Sequence, residues 1–281
     1  REDVRRAYNA IKDGKTAAQI KTGKRGLARV WGGEGTAGES VVLLRAIFAW
    51  AVDEEMIANN PADGVKIARR KIRDTVMRGV EDYKRLFETL DRMQAERRLR
   101  PAVADAIRVI ALTGARRGEI AGLRWGDVYL DKGLLILESH KTAKSTGEAR
   151  VIGLPTAAQA IIAARASEDA GPEDYVFPPA SGAGPVNLSA PWRKIRVEAE
   201  LPDGIGLHGL RHSLATHMAM QGAEAAEIMA AMGHRQMSTA QRYVHWAQDA
   251  RAQLAEKSAK MISGAMTGGH GAEVKKIGGG Q

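Results

Sequence analysis

The chain has 281 residues, is 44% hydrophobic and 27% charged, carries 42 Lys and Arg against 33 Asp and Glu, and has no Cys. The length suits two domains, the net charge of +9 favours an anionic partner, most commonly nucleic acid, and the missing Cys excludes disulfides, thiolate metal sites and a Cys nucleophile. No apolar run approaches the roughly 18 residues of a membrane span and no signal-peptide pattern is present, so the expectation is a cytoplasmic protein, and the start at Arg1 reads as a fragment.

Residues 1–66 read as helical. In ESVVLLRAIFAWAVDEEMI, Val41, Leu44, Phe48, Ala51 and Val52 fall on one helix face. ANNPADG then ends that helix, with Asn60-Pro61 and Gly64 as stop signals. Upstream, the basic, Gly-rich KTGKRGLARVWGGEG reads as an exposed loop. The basic run with Lys66, Arg69, Arg70, Lys71 and Arg73 reads as a linker over 67–74, either solvated or lying along phosphates. A second domain spans 75–262. Tyr83, Leu86, Phe87, Leu90 and Met93 have helical spacing, and a further helix is opened by Pro101 and stopped by Gly114. Two β-type runs, 134–138 and 150–154, flank a polar turn containing Gly147, which predicts a hairpin. Helices follow at about 156–168, 190–199, 208–221, 224–232 and 239–262, and 263–281 reads as a flexible tail. The fold class is mainly α with a small antiparallel β-sheet.

Four stretches could carry chemistry. LHGLRHSLATHM places His208 and Arg211 at i, i+3 on one helix face, and His208 and His212 at i, i+4. The second pair has the spacing of a helical Zn site, but Arg211 repels a cation and no Cys is available. An Arg that stays charged beside a His can instead hold a phosphate, and an ordinary helix with Leu210, Leu214 and Met218 in its core is the third reading. In TGARRGEIAGLRW, Arg116 opens a helix after Gly114, where backbone N–H groups favour an anion; Glu119, three residues on, could lock its guanidinium or form a plain surface pair. Lys141 and Lys144 sit at the hairpin tip, either keeping an edge soluble or reaching a phosphate oxygen. In MGHRQMSTAQRYVHW, Gly233 suits a helix end, Ser238 with Gln241 forms a capping box, and His234 and Tyr243 follow. A Tyr on a helix is ordinarily half-buried packing; exposed among cations it is a nucleophile whose phenolate they stabilise.

The order of these residues is more specific than any one of them. Arg116, Lys141, His208-x-x-Arg211, Gly233-His234 and Tyr243 run in sequence as they do in the tyrosine recombinase (phage integrase) family, which the chain resembles over about 36–255. The resemblance implies a helical core-binding, SAM-like DNA-binding domain at 1–66, truncated at its N-terminus, followed by the linker and a tyrosine-recombinase catalytic domain. It implies that Arg116 and Arg211 clamp the scissile phosphate and that Tyr243 attacks it to form a 3′-phosphotyrosine. Lys141 is then the general acid for the leaving 5′-oxygen. His208 and His234 bond non-bridging oxygens and help move the Tyr proton. Glu119 fits an acidic support position, and His212 and His217 are left to helix packing or support. Gly209 departs from the family, which often has an acidic residue there.

No cofactor or metal is expected. The expected partner is double-stranded DNA, bound by a homotetramer on paired sites, with a monomer free in solution left open, and no membrane. The expected location is the bacterial cytoplasm, with nucleoid association when bound. DNA integration for a phage or mobile element is the leading function. A type IB topoisomerase, a non-catalytic DNA-binding protein of the same fold, and a metal-dependent phosphodiesterase built on His208 and His212 are the alternatives. The C-terminal helix either docks on a neighbouring protomer or closes its own domain.

Overall fold

A computed structural model describes residues 1–23, 26–68, 75–138, 149–233 and 236–266. The chain divides into two compact units, Arg1–Asp74 and Thr75–Gln281.

In the first unit, helix α1 (Glu2–Lys12) carries Glu2 and Asp3 in its first turn and Lys12 in its last, complementing the helix dipole. A β-hairpin follows, β1 (Ala18–Lys21) pairing antiparallel with β2 (Leu27–Val30), Ala18 opposite Val30 and Lys21 opposite Leu27. This corrects the expected exposed loop and the all-helical reading of 1–66: four-residue strands around a Gly-containing turn are too short to show a period. Helix α2 (Glu34–Asp53) packs on α1. Its Ala37 and Val41 join Val4, Tyr8, Ala62 and Val65 in a core against which Leu44 and Phe48 pack, the face that the spacing predicts. The helix stops four residues before ANNPADG, where Glu55 takes a left-handed conformation (φ 57°). That segment is tied back onto α2 instead: Asn60 Nδ2 donates to Arg45 O (3.0 Å), and Arg45 donates to the carbonyls of Ala62 (3.2 Å) and Val65. Contrary to the reading of apolar runs, α2 is long and apolar enough to cross a membrane by length and composition alone, with mean hydropathy 1.3. Val42, Leu43, Ile47 and Trp50 form its exposed side.

The second unit is built around α4 (Pro101–Thr113), which has Pro at its first turn and ends on Gly114 in the left-handed conformation (φ 63°), as expected. Nine of its residues are buried, since α3 (Val80–Ala95), α5 (Arg117–Ala121), α6 (Thr156–Ala163) and α8 (Leu207–Met220) all contact it. A 3₁₀ turn at Trp125–Asp127 leads into β3 (Val128–Tyr129), which pairs with β4 (Leu134–Leu137), itself paired with β5 (Arg150–Gly153). The sheet is antiparallel, with Leu135 opposite Val128 and Ile152. The predicted hairpin strands are present; the two-residue β3 was not foreseen, and 139–148 lie outside the described residues. Helix α7 (Ser189–Glu198) is held through Trp192, whose indole N–H donates to Ile205 O (3.0 Å).

A second core forms where α8, α9 (Ala225–Met232) and α10 (Met237–Met266) meet. It is lined by Ala215, Ala219, Ile228, Met232, Ala240, Tyr243 and Ala247. Gly233 ends α9 in the left-handed conformation (φ 58°). Helix α10 starts at Met237, so Ser238 lies inside its first turn rather than capping it, and the helix continues to Met266, past the predicted start of the tail at 263.

Candidate active site

Two helix ends set the site, at Gly114 and Gly233. Left-handed Gly114 turns α4 into α5 and presents its carbonyl to Arg211, whose Nη1 donates at 2.8 Å. Arg211 Nη2 donates to the carbonyl of Met232 at the end of α9. The Arg211 side chain is among the largest fully buried ones (2% exposed), held between two helix C-termini whose unpaired carbonyls need donors. Arg116 is the N-cap of α5. Its backbone N–H donates to Glu119 Oε2 (2.7 Å), its Nη1 to Glu119 Oε1 (2.6 Å) and its Nη2 to Gly233 O (3.0 Å). Glu119 therefore does lock the Arg116 guanidinium, and from a buried position rather than as a surface pair.

Arg150, read only as the first residue of a strand, is part of the same cluster. Its Nε lies 2.9 Å from Glu119 Oε1, and it is 8% exposed. Its guanidinium fills the space beside Gly233 so closely that a Cβ there would fall 1.5 Å from Nη1. Gly233 is thus required twice, by its backbone conformation and by Arg150. The signal was available in the alternation of β5, in which Arg150 and Ile152 point inward and Val151 and Gly153 outward.

Arg116 and Arg150 pair with the one buried carboxylate, and Arg211 lies near enough to feel its charge, leaving an excess of positive charge suited to an anion. Its mark is on the titrations. Burial first, then the like charges of Arg116 and Arg150, bring Arg211 down to about 10, which leaves it charged at neutral pH. Burial also lowers Arg150, with Glu119 opposing. Partial desolvation, then Arg211 and Arg116, hold exposed His208 below the usual imidazole range.

Tyr243 departs from the expectation. It is 5% exposed and packs in the second core. Burial raises its pKa, outweighing the lowering by Arg211 and Arg242, so the phenol rather than the phenolate is the resting form. Its hydroxyl meets Nδ1 of His212 at 2.5 Å. The His208 ring stands edge-on to His212, centroids 4.5 Å apart. Burial first, then His208, Arg211 and Arg242, bring His212 down to about 4. His212, assigned from the sequence to packing or support, is thus in direct contact with the Tyr243 hydroxyl; its i, i+4 spacing from His208 was the available signal. His217 packs on the Tyr83 ring (5.8 Å).

Gly209 has a packing reason: a Cβ there would meet Ile205 Cγ1 at 2.5 Å and Thr75 O at 3.2 Å, so a larger side chain would force its neighbours to shift. Arg117 and Arg124 turn elsewhere, Arg117 to Ser189 Oγ (2.6 Å) and Arg124 to Glu173 and the face of Tyr175. Lys141, His234 and the linker residues Arg69, Arg70, Lys71 and Arg73 lie outside the described residues; Lys66 is exposed.

The chain is 28% identical over 209 residues to tyrosine recombinase XerC of Xylella fastidiosa (strain 9a5c), covering 72% of this chain and 66% of that protein. It is 31% identical over 238 residues to the putative prophage phiRv2 integrase of Mycobacterium tuberculosis (strain H37Rv), covering 79% and 61%. The chain thus spans about two thirds of the length of these relatives. Among solved structures, it is similar to the Tn1549 transposon integrase in complex with a circular intermediate DNA, with a TM-score of 0.64, 15% identity and 86% and 80% of the two chains covered. It is also similar to a lambda integrase dimer bound to a core site, with a TM-score of 0.60, 18% identity and 86% and 78% covered. These two establish the shared fold. The phage integrase family matches residues 79–249, more than half of the chain and all of the site just described, and the chain belongs to that family.

Proposed function

We propose that the chain is a site-specific DNA recombinase that cuts and rejoins strands through a 3′-phosphotyrosine, in the service of a phage or other mobile element. The observation that carries this reading is the convergence of Arg116 and Arg211, 95 positions apart, on adjoining carbonyls of α9, Gly233 and Met232, with Tyr243 close enough to Arg211 to feel its charge. A phosphodiester attacked in line gathers negative charge on its oxygens, and prepositioned cations stabilise that charge without reorganising. Arg116 and Arg211 clamp the phosphate. Glu119 and Arg150 hold Arg116 and the Gly233 turn in place. His208 and His234 bond non-bridging oxygens, and Lys141 protonates the departing 5′-oxygen. The covalent intermediate conserves the phosphodiester, so a second 5′-hydroxyl reverses the chemistry on a new strand with no cofactor.

The family relatives support DNA as the partner, and the finer parts of the reading follow from the mechanism. Exchange between two duplexes needs a homotetramer on paired sites, the protein being cytoplasmic and nucleoid-associated when bound. The segment 1–66 is assigned to core-site DNA binding, and Lys66, Arg69, Arg70, Lys71 and Arg73 to phosphates along the linker.

The test uses a labelled pool of nicked duplexes randomised over the core, incubated in EDTA and run under denaturing conditions. A covalent protein–DNA adduct forms with the parent and is absent with Tyr243→Phe. An adduct that persists in the variant places the nucleophile elsewhere. Relaxation of plasmids of any sequence, with no recombinant ever formed, marks a topoisomerase instead.

A further inference from the structure

We infer that His212 is the proton acceptor for the Tyr243 hydroxyl, an inference that rests on the recombinase reading above. His212 projects from α8 and Tyr243 from α10, helices that pack against each other. The contact of 2.5 Å between Nδ1 and the phenolic oxygen is within the reach that a general base needs. Among the described residues, His212 is a ring in direct contact with this hydroxyl, a role the resemblance does not give it.

The surroundings hold that ring in place and in the accepting form. The His208 ring, edge-on at 4.5 Å, limits its rotation. His208 and Arg211 on its own helix and Arg242 on α10 face it with positive charge or the means to acquire it, and together with burial they keep the imidazole neutral. A neutral imidazole has one nitrogen that accepts and one that donates. With Nδ1 against a phenol that stays protonated at rest, the tautomer protonated at Nε2 lets the phenol donate and Nδ1 accept, and this is the tautomer that the inference assigns. Arrival of a phosphodiester anion at Arg116 and Arg211 offsets the charge that depresses His212, so the imidazole becomes more basic as the substrate binds.

The step balances. As the bond from the Tyr243 oxygen to phosphorus forms, the phenolic proton passes to Nδ1 and the bond from phosphorus to the 5′-oxygen breaks. The departing 5′-oxygen takes its proton from the general acid, the role given to Lys141. In the rejoining step the incoming 5′-hydroxyl attacks phosphorus and its proton returns to the general acid, while the bond from phosphorus to the Tyr243 oxygen breaks and His212 gives its proton back to that oxygen.

The experiment measures single-turnover adduct formation on the randomised nicked pool for the parent and His212→Leu, each with Tyr243 or with 3,5-difluorotyrosine at 243, whose phenol ionises at lower pH. Retention of the same pool on filters reports DNA binding. His212→Leu is expected to slow adduct formation by about 100-fold or more, the usual range for a lost general base, with binding retained. Difluorotyrosine restores most of that loss and changes the parent little. Adduct formation at the parent rate overturns the inference, as does a slow variant that difluorotyrosine leaves slow, because a packing defect has no reason to respond to phenol acidity. Should the Leu variant lose DNA binding, ¹⁵N NMR of histidine in the unsubstituted protein decides: a His212 Nδ1 resonance in the acceptor range that moves on Tyr243→Phe supports it, and a protonated, donating Nδ1 overturns it. An adduct formed by Tyr243→Phe sinks the recombinase reading itself, whereas a fully active His212→Leu beside an inactive Tyr243→Phe sinks this inference alone.

Discussion

Glu119 illustrates what a single buried side chain does for the site. One carboxylate accepts from the Arg116 backbone N–H and guanidinium and forms an ion pair with Arg150, so it both starts α5 and aims the cation that α5 presents. His212 is the second such residue, and it yields a prediction in the DNA-free protein. Its folded pKa is about 4, below the ordinary 6.5, so between those values the unfolded chain binds a proton that the folded chain refuses. Stability is therefore complete above about pH 6.5 and declines as the pH falls towards 4. His212→Leu removes that proton, and the fall in Tm from pH 7 to pH 4.5 is expected to be smaller in the variant than in the parent. Equal falls would show that His212 titrates normally. Of these residues, Glu119 was legible from its spacing to Arg116, whereas Arg150 and His212 were not placed at the site, because a spacing of three reports a neighbour on one helix and says nothing about a partner on a different element.

At the scale of elements, α8 is the platform from which His208, Arg211 and His212 project, and its position is set by a buried hydrogen-bond chain. Ser213 Oγ accepts from the Met77 N–H (2.7 Å) and donates to Gly209 O (2.7 Å), both groups being buried. Gly209 lets the Thr75 backbone approach α8 where a side chain would stand. Ser213→Ala leaves the Met77 amide without its acceptor, at a cost of about 1–3 kcal/mol for a buried donor. Urea denaturation is expected to show a lower midpoint at unchanged slope; an unchanged midpoint would mean that the segment 75–78 does not anchor the helix. The helices with strong spacing, α3 and α4, were legible to within a few residues, and the left-handed glycines 114 and 233 that end α4 and α9 were legible from their position after an apolar run. The hairpin of the first unit and the two-residue β3 were not, since strands of two to four residues are defined by their partners rather than by their own pattern.

For the molecule as a whole, on the recombinase reading, the net charge of +9 decides how it meets DNA. Neutralising phosphates with Lys and Arg releases counterions, so affinity must fall with salt. Binding to a duplex of random sequence is expected to weaken by at least about tenfold between 50 and 200 mM salt, in the manner of a protein with several phosphate contacts. A salt-independent affinity, measured by fluorescence anisotropy, would contradict phosphate contact as the main source of binding. Composition, motif order and helical periodicity by themselves pointed to an anionic partner and determined the family resemblance and which Arg, His, Glu and Tyr to watch, because these are properties of residue type and of spacing along one element. Only the tertiary structure decided that Arg150 joins Arg116 and Arg211 around Glu119, that Tyr243 is buried as a phenol rather than exposed as a phenolate, and that His212 is its partner. Those outcomes depend on how α8, α9 and α10 close on one another, and desolvation, the largest cause of the shifts at Arg211, His212 and Tyr243, arises only from that packing.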